Sequence, residues 1–220
     1  MLDLGQATTA VGALGTAAFG LVDATKPLTG INKMGLSRIQ KAVSTFTPGT
    51  TRNSLTVQQI LDTVAANWTN GTDLSSQKAI AKSLIQLHLN EDNASATAEK
   101  AGIDPNVLTS IAQKNAAAQP LTPQESDLFG RFDLVVTAVL DEAYIAADRE
   151  YRNATRFVAV IFSVLLAVTG AFVLYPGDAG KHIGEAVLLG LIATPVAPFA
   201  KDLSTYLATA VNALQAINNK

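Results

Sequence analysis

From Phe157 to Tyr175 the chain runs nineteen residues without a charge, FVAVIFSVLLAVTGAFVLY, and this run limits the possible folds more than any other feature. About 20 apolar residues in helical conformation cross the hydrocarbon core of a bilayer. Ser163 and Thr169 are its only hydroxyl-bearing aliphatic side chains, and both can bond back to their own helix. Tyr175 falls where an interfacial aromatic is expected, and Pro176-Gly177 ends the helix. The pattern predicts a transmembrane helix. A buried helix of a water-soluble protein would be shorter or would carry polar residues along one face.

Composition agrees: the 220 residues are 48% hydrophobic and 15% charged, with mean hydropathy +0.24. An ordinary soluble domain carries about a quarter charged residues. Net charge is -2 and pI about 5.6, so no basic field exists to hold nucleic acid. Nor is any Lys/Arg cluster dense enough to read as a lipid-headgroup patch. With no cysteine there is no disulfide framework, no thiolate metal site and no cysteine nucleophile.

A second apolar run, Ile183 to Ala200, follows after the short connector PGDAGKH, residues 176–182. So short a loop predicts an antiparallel hairpin of two spans in direct contact. Glu185 is the single charge of the second run, in its first turn, while Pro195 and Pro198 remove two backbone donors near its exit. Residues 4–22, LGQATTAVGALGTAAFGLV, are long enough to span but weakly hydrophobic. Gly12, Gly15 and Gly20 give that segment a small-residue surface suited to close helix packing. A secretory signal peptide is the rival reading, but Asp3 stands where Lys or Arg is expected.

Between these runs the sequence reads as helices and turns, with no alternating β-branched run. Leu55, Ile60, Leu61, Val64 and Trp68 mark one amphipathic segment; Ile80, Leu84, Ile85 and Leu87 mark another, with Asn70-Gly71 between them. Asp104-Pro105 predicts a helix start, as does Thr122-Pro123-Gln124-Glu125, a capping box. Proline is then absent until Pro176, so one helix of about 50 residues, on the order of 75 Å, is expected to run into the bilayer. A stripe of Leu128, Phe132, Val135 and Val139 on its polar half must pack on the small helical domain or on another protomer.

The expected fold class is all-α: an integral membrane protein with about three transmembrane helices. Its parts are an N-terminal membrane helix (1–22), a helical cytoplasmic domain (23–121), a long helix running into a span (122–175), an outer loop (176–182), a second span (183–200) and an amphipathic tail (201–220). Thirteen of the sixteen Lys and Arg fall between Asp23 and Arg156, which places the middle domain in the cytoplasm by the positive-inside rule.

Little chemistry is written in the side chains. His88 and His182 fall on opposite sides of the predicted membrane and share no site. Asp178, His182 and Glu185 make a weak metal trio in a loop, and Glu185 is most simply a carboxylate favoured by a helix N-terminus. No phosphate-binding loop, nucleophile elbow, zinc-protease motif or paired-acid arrangement occurs, so no catalytic, cofactor or metal residues are assigned.

The segment FDLVVTAVLDEAYIAADREYRNATRF, then a span, a short loop and LLGLIATPVAPFAKDLSTYL, resembles small uncharacterised bacterial inner-membrane proteins. In those a hydrophobic segment precedes a helical cytoplasmic insert, and a charged helix leads into a two-span hairpin. The resemblance covers about the last 90 residues, with Gly190, Thr194, Pro198, Phe199, Asp202 and Leu203 the nearest matches; it implies a bacterial inner-membrane location and no activity. The expected role is a structural, scaffold or accessory subunit, in contact with lipid, that self-associates or joins a larger membrane complex. The alternative is an oligomeric pore or transporter component with a polar path near Glu185, Thr194, Pro195 and Pro198.

Overall fold

A computed structural model describes residues 4–49 and 55–195, with side chains from residue 9 onward. Its elements are α1 (Leu4–Thr29), a 3-10 turn (Ile31–Lys33), α2 (Leu36–Phe46), α3 (Val57–Thr69), α4 (Leu74–His88), α5 (Glu91–Ala101), α6 (Pro105–Ala116) and α7 (Pro123–Leu174). A further helix, α8, occupies 179–195 and reaches the end of the described residues. The chain is all-α, with no strand among the described residues.

The starts of α3 to α7 are each satisfied by a short polar side chain, whereas α2 opens on a left-handed Gly35 without a side-chain cap. Thr56 caps α3 in a box with Gln59, Asp73 accepts from the Ser76 amide at 2.9 Å, and Asn90 caps α5 in a box with Asn93. Asp104 caps α6 ahead of Pro105. At α7 the Thr122 amide donates to Glu125 Oε2 at 2.7 Å, and the Glu125 amide donates back to Thr122 Oγ1 at 3.3 Å. These reciprocal bonds satisfy donors that the first helical turn leaves open.

The chain divides into two compact units: unit 1 is residues 1–31 and 152–220, unit 2 residues 32–151. α7 contributes to both, changing unit after Tyr151.

Unit 2 has a core of large apolar side chains. Ile39 and Phe46 of α2, Ile60 and Trp68 of α3, Ile85 of α4, Leu108 and Ile111 of α6, and Phe132, Leu140 and Tyr144 of α7 are all buried in one cluster. Phe46 meets Phe132 edge to face at 6.3 Å, and Trp68 packs near Tyr144 and Tyr151 while its Nε1 donates to the Met34 carbonyl at 3.1 Å. Such pairs add roughly 0.5–1.5 kcal/mol beyond the area they bury. Gly35, at φ 82°, opens α2 against α7: a Cβ there would stand 2.4 Å from the Ala147 carbonyl oxygen.

The α7 stripe therefore packs on unit 2 of its own chain. Its centre runs Phe132, Val136, Leu140, Tyr144 and Ala147, whereas Val135, Val139 and Leu128 sit half-buried on its shoulders. The helical face is thus turned one residue from the Val135/Val139 line expected from the sequence. On α4, Leu87 points outward and His88 occupies the inner position.

Candidate functional site

Unit 1 inverts the pattern of unit 2. Along α7 the buried positions are Ala159, Ser163, Ala167 and Ala171, one turn apart; on α8 they are Ala179, Ala186, Gly190, Ala193 and Thr194. Small residues thus line the contact, and the backbones approach closely. A Cβ on Gly190 would stand 2.6 Å from the Val164 Cα and 3.0 Å from the Ser163 carbonyl oxygen. Leu14 of α1 packs on the Ala167, Ala171 and Ala186 cluster.

Large apolar side chains face outward instead. Phe157 is 67% exposed, and Ile161, Leu165, Phe172, Leu188, Leu189 and Ile192 are exposed with it. In water such a surface would be an association or aggregation patch. In lipid it costs nothing, and small-residue packing is what holds membrane helices together. α7 is the one helix among the described residues that is long and apolar enough to cross a membrane.

No family model, curated protein or solved structure matches the chain.

Gly12 and Gly15 are buried on α1, on the side that also buries Ala18 and Val22. Gly20 departs from the expected packing surface: it is exposed, and a Cβ there would meet nothing within 4 Å. A period near 3.6 explains this, since Gly20 lies off the face that Gly15, Ala18 and Val22 share.

The residues expected to form a polar path are not brought together. Glu185 is an outward side chain, 81% exposed, whose Oε2 accepts from His182 Nδ1 at 3.2 Å. His182 in turn stacks on Tyr175 at 4.1 Å. Asp178 pairs with Lys181 at 2.6 Å, so the trio Asp178, His182 and Glu185 is not assembled around a common point. Among the described residues no three carboxylates or imidazoles are placed to hold a metal. Thr194 is buried and its hydroxyl has no partner, as is true of Ser163 on α7. Pro195 is exposed, and Pro198 lies outside the described residues, as do Phe199, Asp202, Leu203 and the whole 201–220 tail.

Unit 2 carries polar features that sequence reading missed. Lys78 meets Asp141 at 2.6 Å, Lys82 meets Asp133 at 3.1 Å, and Gln86 donates to Asp133 at 2.8 Å. These three α4 positions are one turn apart and zip α4 to α7; Lys78, Lys82 and Asp141 line a shallow groove with Ser75 and Thr137. The Lys114 ammonium, the Thr122 amide and the Ser110 hydroxyl hold the Glu125 carboxyl down from 4.5 to about 2. His88 is fully buried, its Nδ1 donating to the Leu55 carbonyl at 3.0 Å while Nε2 has no partner. Burial pushes the Tyr144 phenol up to about 12. All of these groups tie helices to one another, and none converges with a second reactive group on an open cavity.

Proposed function

We propose that the protein is a non-enzymatic structural or accessory subunit of a membrane assembly, in which unit 1 is embedded in the bilayer and unit 2 is the helical domain it holds at the cytoplasmic surface. The observation that carries this reading is the reversal between the units, large apolar side chains inside unit 2 and outside unit 1. α1, the apolar half of α7 and α8 are the three membrane helices of the proposal, and the inner membrane of a bacterium is the location that the resemblance supplies.

Self-association does not draw on the α7 stripe, because unit 2 of the same chain covers it. What remains for neighbours is the outer apolar surface of unit 1 and the exposed outer face of α7, where Leu134 and Ile145 stand clear of the core. Cryo-EM of the complex extracted from native membranes in mild detergent tests the proposal. Further copies or foreign subunits packed on unit 1 or unit 2 support it. A monodisperse monomer, unchanged by crosslinking in native membranes, contradicts it.

A second reading, an oligomeric pore, is favoured by the buried, unpartnered hydroxyls of Ser163 and Thr194 in the α7 and α8 helices. It requires several copies, since no continuous polar path exists among the described residues of one chain. Ion flux into proteoliposomes that falls in Thr194→Val would support it, and absence of flux would end it.

A further inference from the structure

Thr16 donates to the Gly12 carbonyl at 2.9 Å, Thr25 to that of Leu21 at 2.7 Å and Thr169 to that of Leu165 at 2.8 Å. Each of these unit 1 hydroxyls is thus satisfied by its own helix, with no second helix needed. Ser163 of α7 and Thr194 of α8 break the pattern. Both are buried, at 0% and 5% exposure, and neither hydroxyl oxygen has a partner. A buried hydroxyl left unbonded is costly in apolar surroundings, and a bilayer offers no bulk water to relieve it.

The two hydroxyls belong to one helix contact. Gly190 lies against the α7 backbone, where a Cβ would stand 3.0 Å from the Ser163 carbonyl oxygen. Thr194 follows Gly190 by one turn on the same buried face, about 6 Å along α8. α7 and α8 run antiparallel from the turn that joins them, so the level of Thr194 on α7 is one turn before Ser163, at Ala159. Side chains lean toward the N-terminus of their own helix. Ser163 therefore leans toward the level of Thr194, and Thr194 toward the level of Ser163. Ala159, buried at that level, fills little space beside them. No direct bond joins the two hydroxyls.

A third oxygen is brought to the same place by Pro195. Proline has no amide hydrogen, so the Leu191 carbonyl is without the donor that a helix supplies four residues on. A helical carbonyl lies beside the residue it would accept from, which sets the Leu191 oxygen next to Thr194 and Pro195. Ordered water is one of the means by which membrane helices satisfy carbonyls freed in this way.

We propose that one internal water molecule sits between α7 and α8, donating to the Leu191 carbonyl and to one of the two hydroxyls and accepting from the other. Three partners are the usual complement of a buried water. Neither helix carries a carboxylate within two turns of this level, so the oxygen set is neutral and suits water rather than a metal cation. The site rests on the membrane reading above and deepens it, because a shared polar contact fixes the register of two spans whose apolar side chains gain as much from lipid as from each other.

The test uses the full chain in detergent micelles. A wild-type structure at a resolution that shows ordered water is expected to hold one solvent peak within hydrogen-bond distance of Ser163 Oγ, Thr194 Oγ1 and the Leu191 carbonyl oxygen. A direct bond between the hydroxyls, or both bonded back to their own helices with no peak between them, overturns the site. Opening of the contact is read from the maleimide labelling rate of Ala167→Cys, a buried position in a chain with no cysteine of its own. Adding Ser163→Ala or Thr194→Val strands the remaining partners, and labelling is expected to quicken roughly 5–30-fold. With both substitutions no hydroxyl is left to satisfy, and labelling is expected to be no faster than in either single variant. Fold-changes that multiply in the double variant mean independent hydroxyls and overturn the shared water. Slower wild-type labelling in sodium chloride than in choline chloride at equal ionic strength assigns the oxygens to a cation and also overturns it. Carbonate extraction of wild-type membranes is read separately: release of the chain sinks the membrane reading itself, whereas retention with multiplying fold-changes sinks only the water site.

Discussion

Gly190 of α8 lies so close to Val164 of α7 that a Cβ on the glycine would stand 2.6 Å from the valine Cα. No side-chain rotation relieves that contact, since the atoms it meets are backbone. The two helices touch at this point because Gly190 has no side chain, and Ala167, Ala171 and Ala186 continue the contact toward the turn. Gly190→Val is expected to force the helices apart. The chain has no cysteine, so an Ala167→Cys/Ala186→Cys pair reports the spacing cleanly. Oxidation is expected to crosslink the pair in the parent and to fail in the Gly190→Val background; equal yields would refute the close contact.

Gly35 makes the same kind of approach inside unit 2, 2.4 Å from the Ala147 carbonyl oxygen, and adds a positive φ of 82°. A left-handed conformation costs an L-residue roughly 1–2 kcal/mol, and the clash with backbone adds about 1–3 kcal/mol more. Gly35→Ala is expected to lower the unfolding free energy of unit 2 by that sum, read as a lower urea midpoint with an unchanged slope. Gly130→Ala, where a Cβ meets nothing within 4 Å, is the control and is expected to be neutral or stabilising.

The phase of α7 is tested by a pair of truncations. Phe132 is fully buried, so Phe132→Ala is expected to cost about 3–5 kcal/mol. Leu134, 69% exposed, is expected to change stability by less than about 0.5 kcal/mol as Leu134→Ala. Comparable losses in the two variants would mean that the outer face of α7 is also covered in solution.

Glu125 links stability to acid. Its folded-state value, about 2, lies below the ordinary 4.5, chiefly because of Lys114. The unfolded chain therefore takes up the proton first, so this contribution is complete above about pH 4.5 and is lost as pH falls toward 2. Denaturant midpoints measured across that window are expected to fall for the wild type and to fall less for Glu125→Gln. A parallel fall in both chains would remove Glu125 as the cause.

Much of the all-α fold is legible in local chemistry. Thr122, Pro123 and Glu125 announce the start of α7, and the lack of proline before Pro176 lets it run to Leu174. α5 was harder to read, because its buried face is Ala94 and Ala98 with Asn93 and Thr97, too small and polar to show a hydrophobic period. The inward turn of His88 in place of Leu87 was invisible for a different reason: a long-range hydrogen bond to Leu55, 33 positions away, decides it. The same limit applies to Lys78, Lys82 and their carboxylates, whose pairing shows only once α4 and α7 are laid side by side. In unit 1, Glu185 stands out in the sequence as the single charge of an apolar run, yet its helix turns it outward to His182.

In the proposed membrane arrangement the exposed apolar surface of unit 1 faces lipid. The most direct test places single cysteines at Leu165 and Leu189 of unit 1 and at Leu87 of unit 2, all exposed positions, and labels intact and opened membrane vesicles with a membrane-impermeant maleimide. Labelling at Leu87→Cys once its side of the membrane is reached, with Leu165→Cys and Leu189→Cys unlabelled until detergent is added, is the predicted result. Labelling of Leu165→Cys or Leu189→Cys at the rate of Leu87→Cys before detergent would contradict the account.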